Sequence, residues 1–458
     1  MESRGSTLNL AQLTQYFAGA SKPPSQFLVG IENEKLWVQS DHGDPVSYEG
    51  DRGIRAFLQA MCRRFGWEPI SEGDNIIGLV RGETRITLEP GGQHELSGKP
   101  YPNLHMVYEE FSEHRRELSK LAQEFGVSFL GLGARPLGSV EQVPWVPKRR
   151  YQVMSRFLKE KGSLGHDMMK QTATVQTAVD YQDEEDAMEK LKVAMGVTSL
   201  VTAMFANSPI SEGRLNGYMT YRSHIWTDTD PDRCGLLRGT LENGYSFQEY
   251  ARFAASVPMI FIEREGHYIP AGGIPFFRYM EEGYEGCQAT LEDWGVHLTT
   301  IFTEVRLKDY IELRGADSQR PGLVMAVPAL WKGILYDSAA RAAAWDLVRT
   351  WTWEERLELH RDICRQALMA RIRGKQVLDL TNELLRISLE GLRRQAVVDE
   401  KDHDERIYLD PLSHLISERG ACPALILAQL WESEWRRDPN RLIEYCRFTE
   451  KGEDGDFS

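Results

Sequence analysis

The sequence predicts an α+β fold with a mostly antiparallel sheet, surrounded by helices and closed by a helical C-terminal cap. Three observations carry that prediction. Short β-rich runs joined by glycine-containing turns dominate the early chain, and single strands then alternate with amphipathic helices. From about Pro321 onward, helical periodicity takes over almost completely.

Residues 1–25 read as a short helix and extension, broken at Lys22-Pro23-Pro24-Ser25. QFLVGIENEKLWV follows as a strand, then a helix from about Asp51 to Arg64. In NIIGLVRGETRITLEPGGQHELSG two β-rich runs flank Arg81-Gly82-Glu83 and a third follows Pro90-Gly91-Gly92. This is a meander, because antiparallel neighbours need the shortest connections. Leu104, Val107, Phe111, Leu118, Leu121 and Phe125 then recur at helical spacing between Asn103 and a terminating Gly126. VSFLGLGARP reads as a buried strand, and TATVQTAVDY, PMIFIE and TEVRLKDYIELRG as further strands, with a helix from about Glu184 to Ala206. PALWKGILYDSAARAAAWDLV, EERLELHRDICRQALMA and ELLRISLEGLRRQAV are the clearest late helices. The expected organisation is an extension at 1–25, a sheet-and-helix domain at 26–337, a helical region at 338–448 packed on that domain, and a polar, fraying tail at 449–458.

The chain has 458 residues, 41% of them hydrophobic, enough for one large core. A formal net charge of −14 argues against a nucleic-acid or anionic-membrane partner, since both need an electropositive footprint. Any polyanion such as ATP would then need metal ions and a local arginine cluster. Six scattered cysteines with no Cys-x-x-Cys pair read as reduced thiols. The opening MESRGSTLNLAQLTQYFAGA carries no apolar signal segment, and no apolar run long enough to span a membrane occurs, so a cytoplasmic location is expected.

Side chains at i and i+2 on a strand share a face, which places Glu32 beside Glu34 in GIENEK and Glu312 beside Arg314 in DYIELRG. Glu89 and Glu95 flank the Pro-Gly-Gly turn and could fold back together. Taken singly, each pattern also describes surface decoration: an edge strand, a hairpin rim or a salt-bridged ladder. Together they put five carboxylates on strand segments apolar enough to be buried, and buried carboxylates without cations are costly. Oxygen donors without Cys/His ligand spacing favour Mg²⁺ or Mn²⁺ over zinc. Other motifs fail on inspection. His94-Glu95 lacks a zincin's second histidine, and Gly98-Lys99 lacks P-loop spacing. Asp228, Asp230 and Asp232 start like a calcium loop, but Arg233 stands where its turn glycine belongs.

These residues, with TLEPGGQHELSG, VPKRRYQVM, GSLGHDMMKQTATVQ, MFANSPISEGRLNGYMTYRSHIWTDTD and VPALWKGILYD, resemble the plant and proteobacterial type of glutamate-cysteine ligase. The likeness runs from roughly Phe27 to Asp337. It implies a glutamine-synthetase-like catalytic fold, a curved antiparallel sheet forming a funnel. The implied activity joins the γ-carboxylate of L-glutamate to the amine of L-cysteine through an acyl phosphate made from ATP, the first step of glutathione synthesis. Glu32, Glu34, Glu89, Glu95 and Glu312 stand at the family's metal-binding positions, with Mg²⁺ as the implied ion and Mn²⁺ as an alternative. Arg314 is implied to face the transferring phosphoryl group. Arg222 and Trp226 are implied to hold glutamate, with Gln176, Lys148, Arg150 and Tyr151 as further nucleotide or substrate contacts.

The chain departs from the family pattern at Ala178, where asparagine is common, and at Ala271, where a plant-type regulatory disulfide would need a cysteine to partner Cys287. The expectation is an enzyme without that thiol switch. A ligase with another amine acceptor and a non-catalytic metal- or amino-acid-binding relative are the competing readings; a two-carboxylate glycosidase would need no phosphate-neutralising arginines. A monomer or homodimer is expected.

Overall fold

The structure, a computed structural model, describes residues 8–448; the fraying tail expected at 449–458 and the first residues of the expected extension lie outside the described residues. Helix α1 (Leu10–Ala18) opens with a capping box in which Asn9 accepts from the Gln12 backbone and Gln12 returns the bond. Its buried Phe17 ring lies 5.6–6.1 Å from Tyr250, Phe247 and Trp294, which ties the extension into the main core.

Nine strands form one sheet: β1 (Val29–Gln39), β2 (Glu68–Glu72), β3 (Asn75–Arg81), β4 (Thr84–Leu88), β5 (His94–Ser97), β6 (Val127–Leu130), β7 (Val175–Val179), β8 (Val305–Leu307) and β9 (Ile311–Leu313). Their order is β8-β9-β7-β1-β5-β4-β3-β2, with β6 pairing the last part of β1. Every pairing is antiparallel, and the sheet stays open like a funnel wall rather than closing into a barrel. Strand β1 is long enough to serve three neighbours in turn: β7 along Val29–Asn33, β5 along Glu32–Lys35 and β6 along Leu36–Gln39.

Helices cover the sheet: α2 (Ile54–Phe65), α3 (Leu104–Phe125), α4 (Arg149–Lys159), α5 (Gly165–Gln171), α6 (Glu184–Met204) and α7 (Tyr221–Thr227). They are followed by α8 (Phe247–Ser256) and, in the C-terminal part, α9 (Ala326–Leu335), α10 (Trp353–Gln366), α11 (Val377–Gln395), α12 (Pro423–Glu432) and α13 (Pro439–Cys446). Helix α3 begins at Asn103, whose side chain accepts from Met106 N, and ends at Gly126 in the left-handed conformation, the stop expected for glycine there. One hydrophobic core runs from α1 through the sheet into α9–α11. A second, smaller core seats Trp431 and Leu442 of α12 and α13 against Leu36, Val38 and Leu130. A buried ion pair reinforces the join. Lys332 of α9 lies 2.5 Å from Glu405, which also accepts the Leu104 N–H at the start of α3 at 2.6 Å.

Three expected strands differ. TEVRLKDYIELRG is a hairpin, β8 and β9, turned at Lys308–Tyr310 without any glycine to announce it. VSFLGLGARP is strand only to Leu130, because beyond it the backbone bonds outside the sheet, Gly131 N to the Cys446 carbonyl and Gly133 N to the Asn207 carbonyl, each at 3.0 Å. PMIFIE is extended only from Phe261, in a strand Phe261–Arg264 that forms a separate hairpin with His267–Pro270, outside the main sheet.

Candidate active site

The register of the central strands brings the acidic residues onto one face. Glu34 of β1 stands directly opposite Glu95 of β5, Glu32 opposite Gln176 of β7, and Glu312 of β9 between Arg306 of β8 and Ala178 of β7. Glu89 arrives from the Pro90-Gly91-Gly92 turn, which is closed by a 2.8 Å bond from Gly92 N to the Glu89 carbonyl. Both glycines are required there. Gly92 has φ +81°, and a Cβ on Gly91 would stand 2.3 Å from the Lys170 carbonyl oxygen.

Arg314, just past β9, donates from Nη1 to Gln176 Oε1 at 2.6 Å and to Glu312 Oε2 at 2.8 Å. Arg222 on α7 is buried and donates from Nη2 to the Arg314 carbonyl at 2.8 Å, so the two arginines approach the face together. Both guanidinium groups lie about 6 Å from the Trp226 ring, within cation–π range. Tyr151 on α4 donates to the Leu88 carbonyl at 2.7 Å and lies 3.3 Å from Glu89 Oε1.

These side chains surround a cleft with about 910 Å³ of empty space, counting the part open to solvent. Glu32, Glu34, Glu89, Glu95, Gln176, Arg222, Trp226, Arg314, Arg150 and Tyr151 line it. Lys148 and Glu312 sit just behind this lining, Lys148 Nζ at 3.5 Å from the Tyr151 hydroxyl and Glu312 against Arg314. Sequence reasoning missed Arg306, whose Nη2 is 2.5 Å from Glu312, and Lys308, whose Nζ is 3.5 Å from it. Reading VRLKDYIEL as a hairpin would have found Arg306, since that register sets it across from Glu312. The cleft's soft wall of Met154, Met168, Met169 and Phe302 gave no sequence signal beyond ordinary core patterning.

The electrostatics divide the acids into two groups. Burial, reinforced by neighbouring carboxylates, raises Glu32 and Glu95 and pushes Glu34 up to about 8, although Glu34 accepts the Thr174 N–H at 3.0 Å. For Glu312 burial acts in the same direction but is outweighed by Arg306, Lys308 and Arg314, which hold it well below the usual carboxylate range. In the first group the nearby cations, Arg306, Lys308 and Arg314 for Glu32 and Arg222 and Arg314 for Glu34, do not outweigh burial, and a divalent cation is a natural complement to those oxygen donors. Glu312 Oε1 accepts no hydrogen bond and faces the Lys308 ammonium at 3.5 Å, while Oε2 is taken by Arg306 and Arg314. Among the described residues no three His, Cys, Asp or Glu side chains form a ready ion cage. That is compatible with Mg²⁺, which keeps several waters and takes one or two carboxylates together with substrate phosphates.

The overall fold is shared with a solved glutamate–cysteine ligase of Francisella tularensis in complex with AMP, at a TM-score of 0.54 over 92% of this chain and 88% of that one, with 11% identity. Residues 28–444 match the model of glutamate-cysteine ligase family 2, and the chain belongs to that family. It is 39% identical over 440 residues to the chloroplastic glutamate–cysteine ligase B of Oryza sativa subsp. japonica, covering 95% of this chain and 87% of the relative. It is 37% identical over 440 residues to the chloroplastic glutamate–cysteine ligase of Nicotiana tabacum, covering 95% and 82%. No helix among the described residues is long and apolar enough to cross a membrane.

Proposed function

We propose that this chain is an ATP-dependent ligase that joins the γ-carboxylate of L-glutamate to the amine of L-cysteine, the first step of glutathione synthesis. Family membership sets the reaction class, and the observation that carries the reading is a carboxylate face that lines one open cleft together with Arg222 and Arg314. A γ-carboxylate oxygen attacks the γ-phosphorus of ATP, the bond to the bridging oxygen breaks and ADP leaves. The neutral cysteine amine then attacks the acyl carbon, inorganic phosphate departs, and the nitrogen loses a proton. Neither step needs a nucleophile from the protein, so positioning and charge neutralisation supply the catalysis.

In this reading Glu32, Glu34, Glu89, Glu95 and Glu312 hold Mg²⁺, or Mn²⁺ in its place. The bound ions would neutralise charge on the ATP phosphates. Arg314 faces the transferring phosphoryl group, its direction set by Gln176 and Glu312. Arg222 and Trp226 hold the glutamate, and Lys148, Arg150 and Tyr151 contact the nucleotide or a substrate. The chain acts in the cytoplasm as a monomer or homodimer, with the catalytic unit at 26–337 and the helical region at 338–448 packed on it. Fractionation and sedimentation equilibrium test those last points.

The decisive experiment measures phosphate release from ATP with Mg²⁺ and glutamate, comparing cysteine, 2-aminobutyrate, other amino acids and no acceptor, with product masses read alongside. Cysteine-dependent release with γ-glutamylcysteine as product is expected. Turnover with another acceptor alone would move the specificity, and ATP binding without turnover would leave a non-catalytic relative.

A further inference from the structure

Behind the cleft wall lies a buried carboxylate with no part in the chemistry above. Asp317 is fully buried and does not line the cleft. Its Oδ2 accepts from Asn207 N at 2.8 Å and from Ser208 Oγ at 2.7 Å, and its Oδ1 accepts from Thr220 Oγ1 at 2.9 Å. Both hydroxyls pass the contact on to the first turn of α7. Ser208 Oγ accepts from Arg222 N at 3.2 Å, and Thr220 Oγ1, the helix cap, accepts from Ser223 N at 3.2 Å. A third tie comes from the C-terminal helices, where the Cys364 carbonyl on α10 accepts from Met219 N at 2.8 Å and Thr220 N at 3.1 Å. The site of Asp317 is also sterically closed, because a Cβ on Gly133 would stand 2.2 Å from its Cγ.

We propose that Asp317 is a positioning residue for Arg222. Through Ser208 and Thr220 it fixes the first turn of α7, and its negative charge complements the guanidinium that this turn presents to the cleft. Asp317 heads the carboxylates that attract Arg222, ahead of Glu304 and Glu34. The arrangement has a physical purpose. A long arginine side chain has many rotamers to lose, and a 1 Å error in presenting it can cost roughly a hundredfold in rate. Helix α7 is only two turns long, so it cannot hold its own direction against solvent. The two hydroxyl relays and the Cys364 carbonyl supply that direction from outside. They give the helical C-terminal region a part in substrate binding.

The proposal rests on the reading that Arg222 holds glutamate, and the test separates the two. Steady-state KM for glutamate, KM for ATP, kcat and Tm are compared in the full chain for Asp317→Asn, Thr220→Val, Arg222→Lys and the Asp317→Asn/Arg222→Lys pair. Asp317→Asn is expected to raise KM for glutamate about tenfold while KM for ATP stays within about twofold. Thr220→Val, which removes one relay only, is expected to raise it about threefold, and the double variant to fall well short of the product of the singles. If Arg222→Lys raises KM for glutamate but Asp317→Asn and Thr220→Val do not, positioning by Asp317 is overturned. It is overturned equally if glutamate KM, ATP KM and kcat all worsen together in step with a lower Tm. If Arg222→Lys leaves glutamate KM unchanged, the role of Arg222 falls first and the proposal with it. Should Asp317→Asn fail to fold, Thr220→Val and Ser208→Ala decide the matter.

Discussion

Glu32 and Glu95 show how one residue type can be given a task by its surroundings. Each is a glutamate on an antiparallel strand, yet burial and neighbouring carboxylates make the ionised form costly unless a cation arrives. Glu32→Gln and Glu95→Gln are therefore each expected to lower kcat roughly a hundred- to a thousandfold with the circular dichroism spectrum unchanged, and to weaken Mg²⁺ dependence in a titration of activity. Normal Mg²⁺-dependent turnover in either variant would remove that residue from the site. Histidines supply a second residue-scale prediction. His94 and His114 are buried and held well below the ordinary histidine value, and burial pushes His297 down to about 4. The unfolded chain takes up protons near pH 6.5 that the folded chain refuses, so stability falls as pH drops from about 6.5 towards 4. For His297 alone the loss reaches about 3 kcal/mol. His297→Asn should flatten the dependence of Tm on pH in that window, and an unaltered slope would show that the ring does not titrate as described. The carboxylate pattern was legible residue by residue because i, i+2 spacing fixes a shared face. Asp317 was not, since its partners Asn207, Ser208 and Thr220 lie about a hundred positions away along the chain.

At the scale of elements, the meander β3–β4–β5 and the long helix α3 could be read from turn residues and apolar period. The hairpin β8–β9 could not. Its turn lacks glycine, asparagine or proline at the tip, and only pairing with β7 and α6 reveals where the chain reverses. Helix contacts raise a similar limit. Helices α9 and α11 cross so closely that a Cβ on Gly391 would stand 1.9 Å from the Gly333 carbonyl oxygen, with Ser388 Oγ donating to the Leu330 carbonyl at 2.9 Å beside it. Gly391→Ala should lower stability by about 1–3 kcal/mol through overpacking, despite alanine's better helix propensity. A thermal melt checks this, and an unchanged or higher Tm would mean the helices can slide apart freely.

Across the whole molecule, α1 and the C-terminal helices share one core with the sheet, so damage at either end should be felt throughout. Phe17→Ala empties a site walled by Phe247, Tyr250 and Trp294 and is expected to cost about 3–5 kcal/mol, visible as an early unfolding transition. All six cysteines are free. Dithiothreitol should therefore change activity by less than about twofold, since no reducible bond is present to act as a switch. A large, reversible loss would reveal one. By itself the sequence determined the α+β class, the carboxylate face on β1, β5 and β9, and the family, because local periodicity and contiguous motifs are properties of neighbours in the chain. Only the tertiary structure decided that Arg306 and Lys308 claim Glu312, that Arg222 reaches the backbone of Arg314, and that Asp317 and Cys364 steer α7. The first depends on a hairpin turn that carries no turn-forming signal, and the others join residues far apart in sequence, whose meeting is set by packing of the whole core rather than by any local preference.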